Sequence, residues 1–543
     1  MTGRITTLAL SIIFVSLGCR VQGFAFTFLL SPSRSQQKLN QDTINTIMYS
    51  DYKKSSSPRP NYQTFLLSAP ENDSIEPPTK PSTGAAILAL AVPALGAELI
   101  DPLMTLADTA FVGRFSETDA LAGMGSSVAL LGFSFYIFNF FCTATTPLVA
   151  SQRAAGNEAG AIAVGGQALS FALFLGSLMT IVILAFEQPL LELMGTGITG
   201  AAANEYALSF LGIRAFAAPA VLCISASTGI LRGYLDTKTP IYILVMANII
   251  NLILDLILIP GMGLGPTGAA IATTTAEWIS ALLFLGVLAG TLPSADGALG
   301  SNRRAASDGA AQMLVVVPSF SIPPLSEVQP LLLASGSVFL RSLVLQLSLA
   351  SAAAMAARAG EASASVAAHQ IAMQLWILCS YTADSLAAAA QGLIADALGR
   401  KDQDKARDVT RTVAVYSVVL GTLLGLGLGV GSATSFLETF FTSDSSVQHE
   451  LSKILALIVI AQPLNSVVFA SDGIVQGASA FVFQAKGMAV SGSTAFGSFL
   501  ALQYFGDGSE TLLHVWTALI VLQIMRGVTN CWKVNDIGLL KSL

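Results

Sequence analysis

The chain has 543 residues, 11% charged and 53% hydrophobic, with a mean hydropathy of +0.67. Soluble domains carry roughly 25% charged residues, so this composition excludes an ordinary soluble enzyme, a nucleic-acid binder and a disordered chain. The net charge of −6 provides no basic field for a polyanion, which leaves an all-α, polytopic membrane protein.

Residues 1–23 read as a signal peptide: Arg4, an apolar run from Ile5 to Leu17, then Val21-Gln22-Gly23 with small residues suited to cleavage. Residues 24–84 read as a transit-like segment and flexible linker. Phe24-Ala25-Phe26 opens it, a Ser-rich and basic stretch follows, and the first 41 residues hold four Lys/Arg and no acid. Pro and Ser dominate 55–83. This arrangement resembles the bipartite presequence of algae whose plastids have extra membranes, and implies a plastid envelope protein. A plain secretory signal or uncleaved anchor, with a plasma-membrane or endomembrane destination, is the alternative.

A membrane helix needs about 20 apolar residues. Twelve such spans are predicted: 86–108, 122–147, 161–186, 206–231, 240–260, 267–290, 328–354, 366–394, 409–431, 452–473, 480–505 and 511–532. They divide into an N-terminal six-helix lobe (85–290) and a C-terminal one (328–532), joined by a loop (291–327) and followed by a tail (533–543). The halves repeat. Pro219 precedes Gly229-Ile230-Leu231-Arg232-Gly233 by ten residues, as Pro463 precedes Gly473-Ile474-Val475-Gln476-Gly477, at a constant offset of 244. Gly156 and Gly399 match at an offset of 243. The repeat is parallel, which predicts two bundles related about the membrane normal. Eleven Lys/Arg lie in or beside loops after even-numbered spans, Arg232 among them. Three, Arg114, Arg358 and Lys453, follow odd-numbered spans. Both ends of the bundle therefore face the positive, cytosol- or stroma-like side.

Ionisable groups at bilayer depth are functional candidates because their burial is unfavourable. The first span carries Glu98, Asp101 and Asp108, with Pro93 as a kink. The fifth carries Asn248, Asn251 and Asp255 on one face, and the sixth Thr273 and Glu277, four apart. Arg214 is the one buried cation expected in this half. Burial disfavours a carboxylate's charged form, which suits a proton carrier; carboxylate and amide oxygens equally suit a small cation. Glu98 and Asp101 have a water-exposed mouth as their bland alternative, and Asp108 and Asp255 a structural hydrogen bond. In the second half Arg341, His369, Asp384 and Asp472 are candidates; His369 more often packs than shuttles protons, and Asp472 can simply cap or kink a helix. Gly263 to Gly268 fits GxGxxG but lies between two spans, outside any βαβ unit. The glycines at 425, 427, 429 and 431 read as a close-packing face. No GxxxxGK[ST] phosphate loop exists, and Cys19, Cys142, Cys223, Cys379 and Cys531 show no metal-ligand spacing. No metal, cofactor or catalytic group is expected.

The stretches VPALGAELIDPLMTLADTAFVGR (92–114), GILRGYLDTKTP (229–240), NIINLILDLILIPGMGLGPTGAAIAT (248–273), AAHQIAMQLWILCSYTADSLAAAAQ (367–391) and AQPLNSVVFASDGIVQGAS (461–479) resemble the multidrug and toxic compound extrusion (MATE) family, DinF-like branch with plant organellar members. The resemblance implies twelve helices in two lobes around a cavity. It implies antiport of a small organic compound against protons or sodium by a monomer in the bilayer, without nucleic acid. It also implies a cation site at Asp108, Asn251, Asp255 and Thr273. Some other branches use an acid in helix seven; here that helix has Arg341, with Glu327 only at its start. An organic-anion exporter (citrate or a phenolic acid) of the same fold is the main competitor. A lipid-precursor flippase and a membrane scaffold are further ones, and the acid-rich first half argues against both.

Overall fold

Ser82 begins the first helix: its hydroxyl accepts the amide of Ala85 at 3.3 Å, satisfying a donor that every helix start leaves open. The computed structural model describes residues 82–116, 118–138, 140–193, 201–295, 315–319, 325–356, 362–505 and 511–540. The expected signal peptide, nearly all of the transit-like segment and linker, and most of the inter-lobe loop lie outside the described residues.

Those residues are helical almost throughout, as apolar chain in lipid must be to satisfy its own backbone. The first half comprises α1 (Thr83–Phe115), α2 (Thr118–Ile137) with α3 (Phe140–Ala154), α4 (Glu158–Ala185), the short α5 (Glu187–Leu193), α6 (Ala201–Ala215) with α7 (Ala218–Gly233), α8 (Lys238–Leu256) and α9 (Gly265–Leu288). The second half comprises α10 (Leu325–Ala356), α11 (Ala362–Gly399), α12 (Gln403–Ala433), the short α13 (Phe436–Phe441), α14 (Ser445–Gly477), α15 (Phe481–Phe505) and α16 (Thr511–Asp536). Pairing α2 with α3 and α6 with α7, and setting aside the short α5 and α13, gives twelve rods among the described residues. Among the described residues nine helices are long and apolar enough to cross a membrane, ten when α6 and α7 count together. The last helix runs past the expected border at 532 to Asp536.

Two expected spans are jointed. The second breaks between α2 and α3. The fourth bends by 47° between α6 and α7, where Pro219 sits in the first turn of α7. Proline has no N–H to give the carbonyl four residues back; Thr180 donates to that carbonyl, on Ala215, at 2.6 Å. The repeat-related Pro463 lies inside an unbroken α14, so the same motif bends only one half. α8 ends in a π turn, Ile257–Gly261, containing Pro260.

The halves pack alike. α1 lies against α8 of its own half and α11 of the other; α10 lies against α15 of its own half and α3 of the other; α3 and α11 face each other. The repeated glycines explain the closeness of α7 to α3 and of α14 to α11. A Cβ on Gly229 would sit 2.9 Å from the Cα and carbonyl oxygen of Cys142, and one on Gly473 would collide with the backbone of Ala387. Such small-residue contacts hold helices together where lipid supplies no hydrophobic drive. The glycine face expected on α12 is corrected at Gly427, which faces open space: a Cβ on Gly425 or Gly429 would meet Val459 and one on Gly431 would meet Leu437, and Gly421 also lies against α14. Outward, Ile249, Ile253 and Leu256 on α8 and Val419, Leu423, Leu426 and Val430 on α12 are exposed, a lipid-facing surface.

Residues 315–319 of the connecting loop dock on the first half. Val316 N donates to Leu288 O at 2.9 Å, and Ser170 Oγ to Ser319 O at 2.8 Å. α3 and α11 tie the halves through Arg153–Asp396 at 3.4 Å and through Gln391 Nε2 donating to Thr143 O at 2.6 Å.

Candidate functional site

α1, α8 and α9 converge on Asp108. Asn251 Nδ2 donates to its Oδ1 at 3.2 Å, and Thr273 Oγ1 approaches Oδ2 at 3.1 Å while also bonding Ala269 O at 2.8 Å. Asn251 and Asp255 are one turn apart on α8, so both point at α1. The Asp255 carboxyl lies against that of Asp108. Exposure is 6% at Asp108, 1% at Asn251 and 0% at Asp255. Both carboxylate oxygens of Asp255 and the amide oxygen of Asn251 are buried without a hydrogen-bond donor. Two touching carboxyls and an orphan amide oxygen need a proton between them or a small cation among them, because unpaired buried acceptors are strongly disfavoured. No group of three or more His, Cys, Asp or Glu suited to a metal ion exists among the described residues.

The other candidates on these helices separate from that cluster. Asn248 donates to Leu244 O of its own helix at 2.8 Å. Glu277 holds Arg214 in a bidentate pair, one arm at 2.8 Å, and the guanidinium also lies 5.9 Å from the Phe135 ring centre. α1 runs unbroken through Pro93 and a second proline, Pro102. The side chains of Asp101 and Glu327 lie outside the described residues.

A cavity of ≈ 610 Å³ lies between the halves. Glu98 lines it and accepts from Arg232 Nη2 at 3.1 Å. Arg232 thus lies inside α7 and is partly buried, which corrects its assignment to a loop; Arg214 is the one cation of this half that is buried among the described residues. Without Arg232 the sequence count of basic residues is ten against three. Across the cavity Asp472 accepts from Arg341, from Arg526 at 2.5 Å, from Asn530 at 2.7 Å and from Gln484 at 2.8 Å. It lies inside the unbroken α14, before its end at Gly477, so the expectation of a cap is corrected: it is an anchor for two cations. Asp384 on α11 lines the same cavity. His369 does not. It is 2% exposed and packs on Trp516, ring centres 5.8 Å apart, with Nδ1 unpartnered. Sequence reasoning missed Arg526, although its place inside the twelfth predicted span was a sufficient signal.

The repeat supplies an internal control. At an offset of 244, Asn251, Asp255 and Thr273 correspond to Ala495, Phe499 and Thr517, and at the offset of 243 that holds at Gly156, Asp108 corresponds to Ser351. Thr517 repeats the hydroxyl bond to the carbonyl four residues back, at 2.8 Å. The other three line an apolar pocket of ≈ 380 Å³ between α10, α15 and α16. The carboxylate cluster therefore has no counterpart in the second half.

Two repeated helical bundles clasping a charged cavity within a lipid-facing shell define a multi-pass integral membrane transporter. The chain belongs to the MatE family, the multidrug and toxic compound extrusion transporters: the family model matches residues 93–257 and 338–500. It is a transporter and not an enzyme. It is similar to Protein DETOXIFICATION 44, chloroplastic, of Arabidopsis thaliana, 28% identical over 548 residues, covering 94% of this chain and 96% of that protein. DNA damage-inducible protein F of Escherichia coli (strain K12) is 27% identical over 449 residues, covering 82% and 91%. A solved MOP superfamily transporter from Pyrococcus furiosus matches with a TM-score of 0.71 at 18% identity, covering 84% of this chain and 97% of that one; this likeness concerns the fold.

Proposed function

We propose that the chain is a secondary antiporter that exports small organic compounds from the positive-side compartment in exchange for protons, as a monomer in a plastid envelope membrane. The buried Asp108–Asn251–Asp255–Thr273 cluster, with its three orphan oxygens, carries the reading. A proton entering the cluster removes one of two touching charges and rearranges the bonds from Asn251 and Thr273. α1 transmits the change. Asp108 and Glu98 are ten residues apart on it, about 15 Å along the axis, and Glu98 faces the cavity. Pro93 and Pro102 leave the carbonyls of Ala89 and Glu98 without their helical donors, which lets the helix bend there. Alternating access then requires the ion and the substrate to bind the two states unequally. A tenfold proton gradient supplies about 1.4 kcal/mol per proton.

The test is efflux of a fluorescent organic cation from proteoliposomes under an imposed pH gradient without sodium. Wild-type efflux that is lost in Asp108→Asn, with the protein still monodisperse, supports proton antiport at this cluster. Full efflux in the variant sinks it. Sodium is the second reading, favoured by the all-oxygen make-up of the cluster; efflux driven by a sodium gradient alone would select it. The plastid assignment draws on the chloroplastic relative and is tested by imaging the full chain with a fluorescent C-terminal fusion.

A further inference from the structure

The central cavity is unevenly charged. Glu98 and Arg232 match one to one. Asp472 holds two guanidinium groups, so the cluster on α10, α14 and α16 has one cation more than it has carboxylates. The Nε atoms of Arg341 and Arg526 are both buried without an acceptor, although both side chains line the cavity. Arg526 is only 3% exposed, so water does little to screen it. Asp384 is the opposite case. It lines the same cavity from α11, and among the described residues it forms neither a hydrogen bond nor an ion pair. Arg232, Arg341 and Arg526, which line the same cavity, act on it only through their field.

A ligand with a single positive charge drawn to Asp384 is repelled by the surplus cation of the arginine cluster. A ligand with a single negative charge drawn to the arginines is repelled by Asp384. A ligand carrying both charges meets a complementary partner for each. The cavity is within the usual range for organic ligands, about 300–1,000 Å³, and Trp376 and Trp516, ring centres 6.0 Å apart, give it an aromatic wall. We propose that this cavity selects zwitterionic organic substrates, with the anionic group held against Arg341 and Arg526 and the cationic group facing Asp384. The proposal rests on the export reading only in taking this cavity as the substrate site.

Equilibrium binding separates the two, because it needs no gradient and a negative result leaves the coupling reading standing. Three dyes are titrated by fluorescence polarisation into the purified full chain in detergent. They are rhodamine B (a zwitterion at neutral pH), its ethyl ester (the same rings, cationic only) and fluorescein (anionic). The zwitterion is expected to bind at least about tenfold more tightly than either relative. Asp384→Asn is expected to erase its advantage over fluorescein. Arg341→Gln, which leaves Asp472 matched one to one by Arg526 and so keeps the fold, is expected to erase its advantage over the ester. Tightest binding of the ester, tightest binding of fluorescein, no binding of any dye by folded protein, or an unchanged ranking in both variants overturns the proposal.

Discussion

Arg232 on α7 donates to Glu98 on α1 at 3.1 Å, and the corresponding helices of the second half carry the reverse polarity. There the base, Arg341, is on α10 and the acid, Asp472, on α14. The repeat preserved the helix pair and inverted its charges. Electrostatic function in the two halves has therefore diverged while packing has not, and each of the following expectations separates the two.

Thr273 and Thr517 make the same bond to the carbonyl four residues back, but only Thr273 also reaches a carboxylate. Thr273→Val should lower proton-driven efflux about three- to tenfold, the worth of one hydrogen bond. Thr517→Val should leave the initial rate within about twofold. Equal losses in the two would abolish the functional asymmetry drawn between the halves.

Asp255 has two buried carboxylate oxygens without a donor and a second carboxyl against it. Asp255→Asn should raise the melting temperature in detergent, or leave it unchanged, while coupled efflux is lost, because strain held at a functional site is released. A large drop in melting temperature would mark the residue as a structural support instead.

Asp472 neutralises two buried guanidinium groups. Its removal strands both, so Asp472→Ala should destabilise the protein by about 3–5 kcal/mol. Thermal unfolding followed by tryptophan fluorescence checks this, and an unshifted curve refutes it.

Gly473 and Gly427 are both helical glycines, one against the Ala387 backbone and one facing open space. Gly473→Ala should cost about 1–3 kcal/mol through overpacking. Gly427→Ala should be neutral or stabilising by up to about 1 kcal/mol, since alanine is the better helix former. The same melting assay compares them, and equal effects would show that the repeat motif is not a packing device.

Much of the candidate site was legible along the chain. Asp108, Asn251, Asp255 and Thr273 stand out as polar groups at bilayer depth, and their helical spacing alone puts Asn251 and Asp255 on one face. Asn248 satisfies the same spacing rule but turns to its own backbone. A face about 100° wide admits more residues than a site uses, and only the rotation of α8 against α1 decides which of them arrive. Arg232 was misplaced because it ends a span, and hydropathy cannot fix a helix end to within a turn.

The sequence by itself determined the membrane class, the succession of helices and the parallel repeat. All of these depend on composition and on order along the chain, which apolar lipid converts directly into helix. The tertiary structure decided which charges meet. Glu98 finds Arg232, Asp472 finds Arg341 and Arg526, Glu277 finds Arg214, and Asp384 finds none among the described residues. Those pairings join residues far apart in sequence. They are set by how the helices cross and rotate against one another, and that depends on close packing of small side chains rather than on the apolar pattern of any one helix.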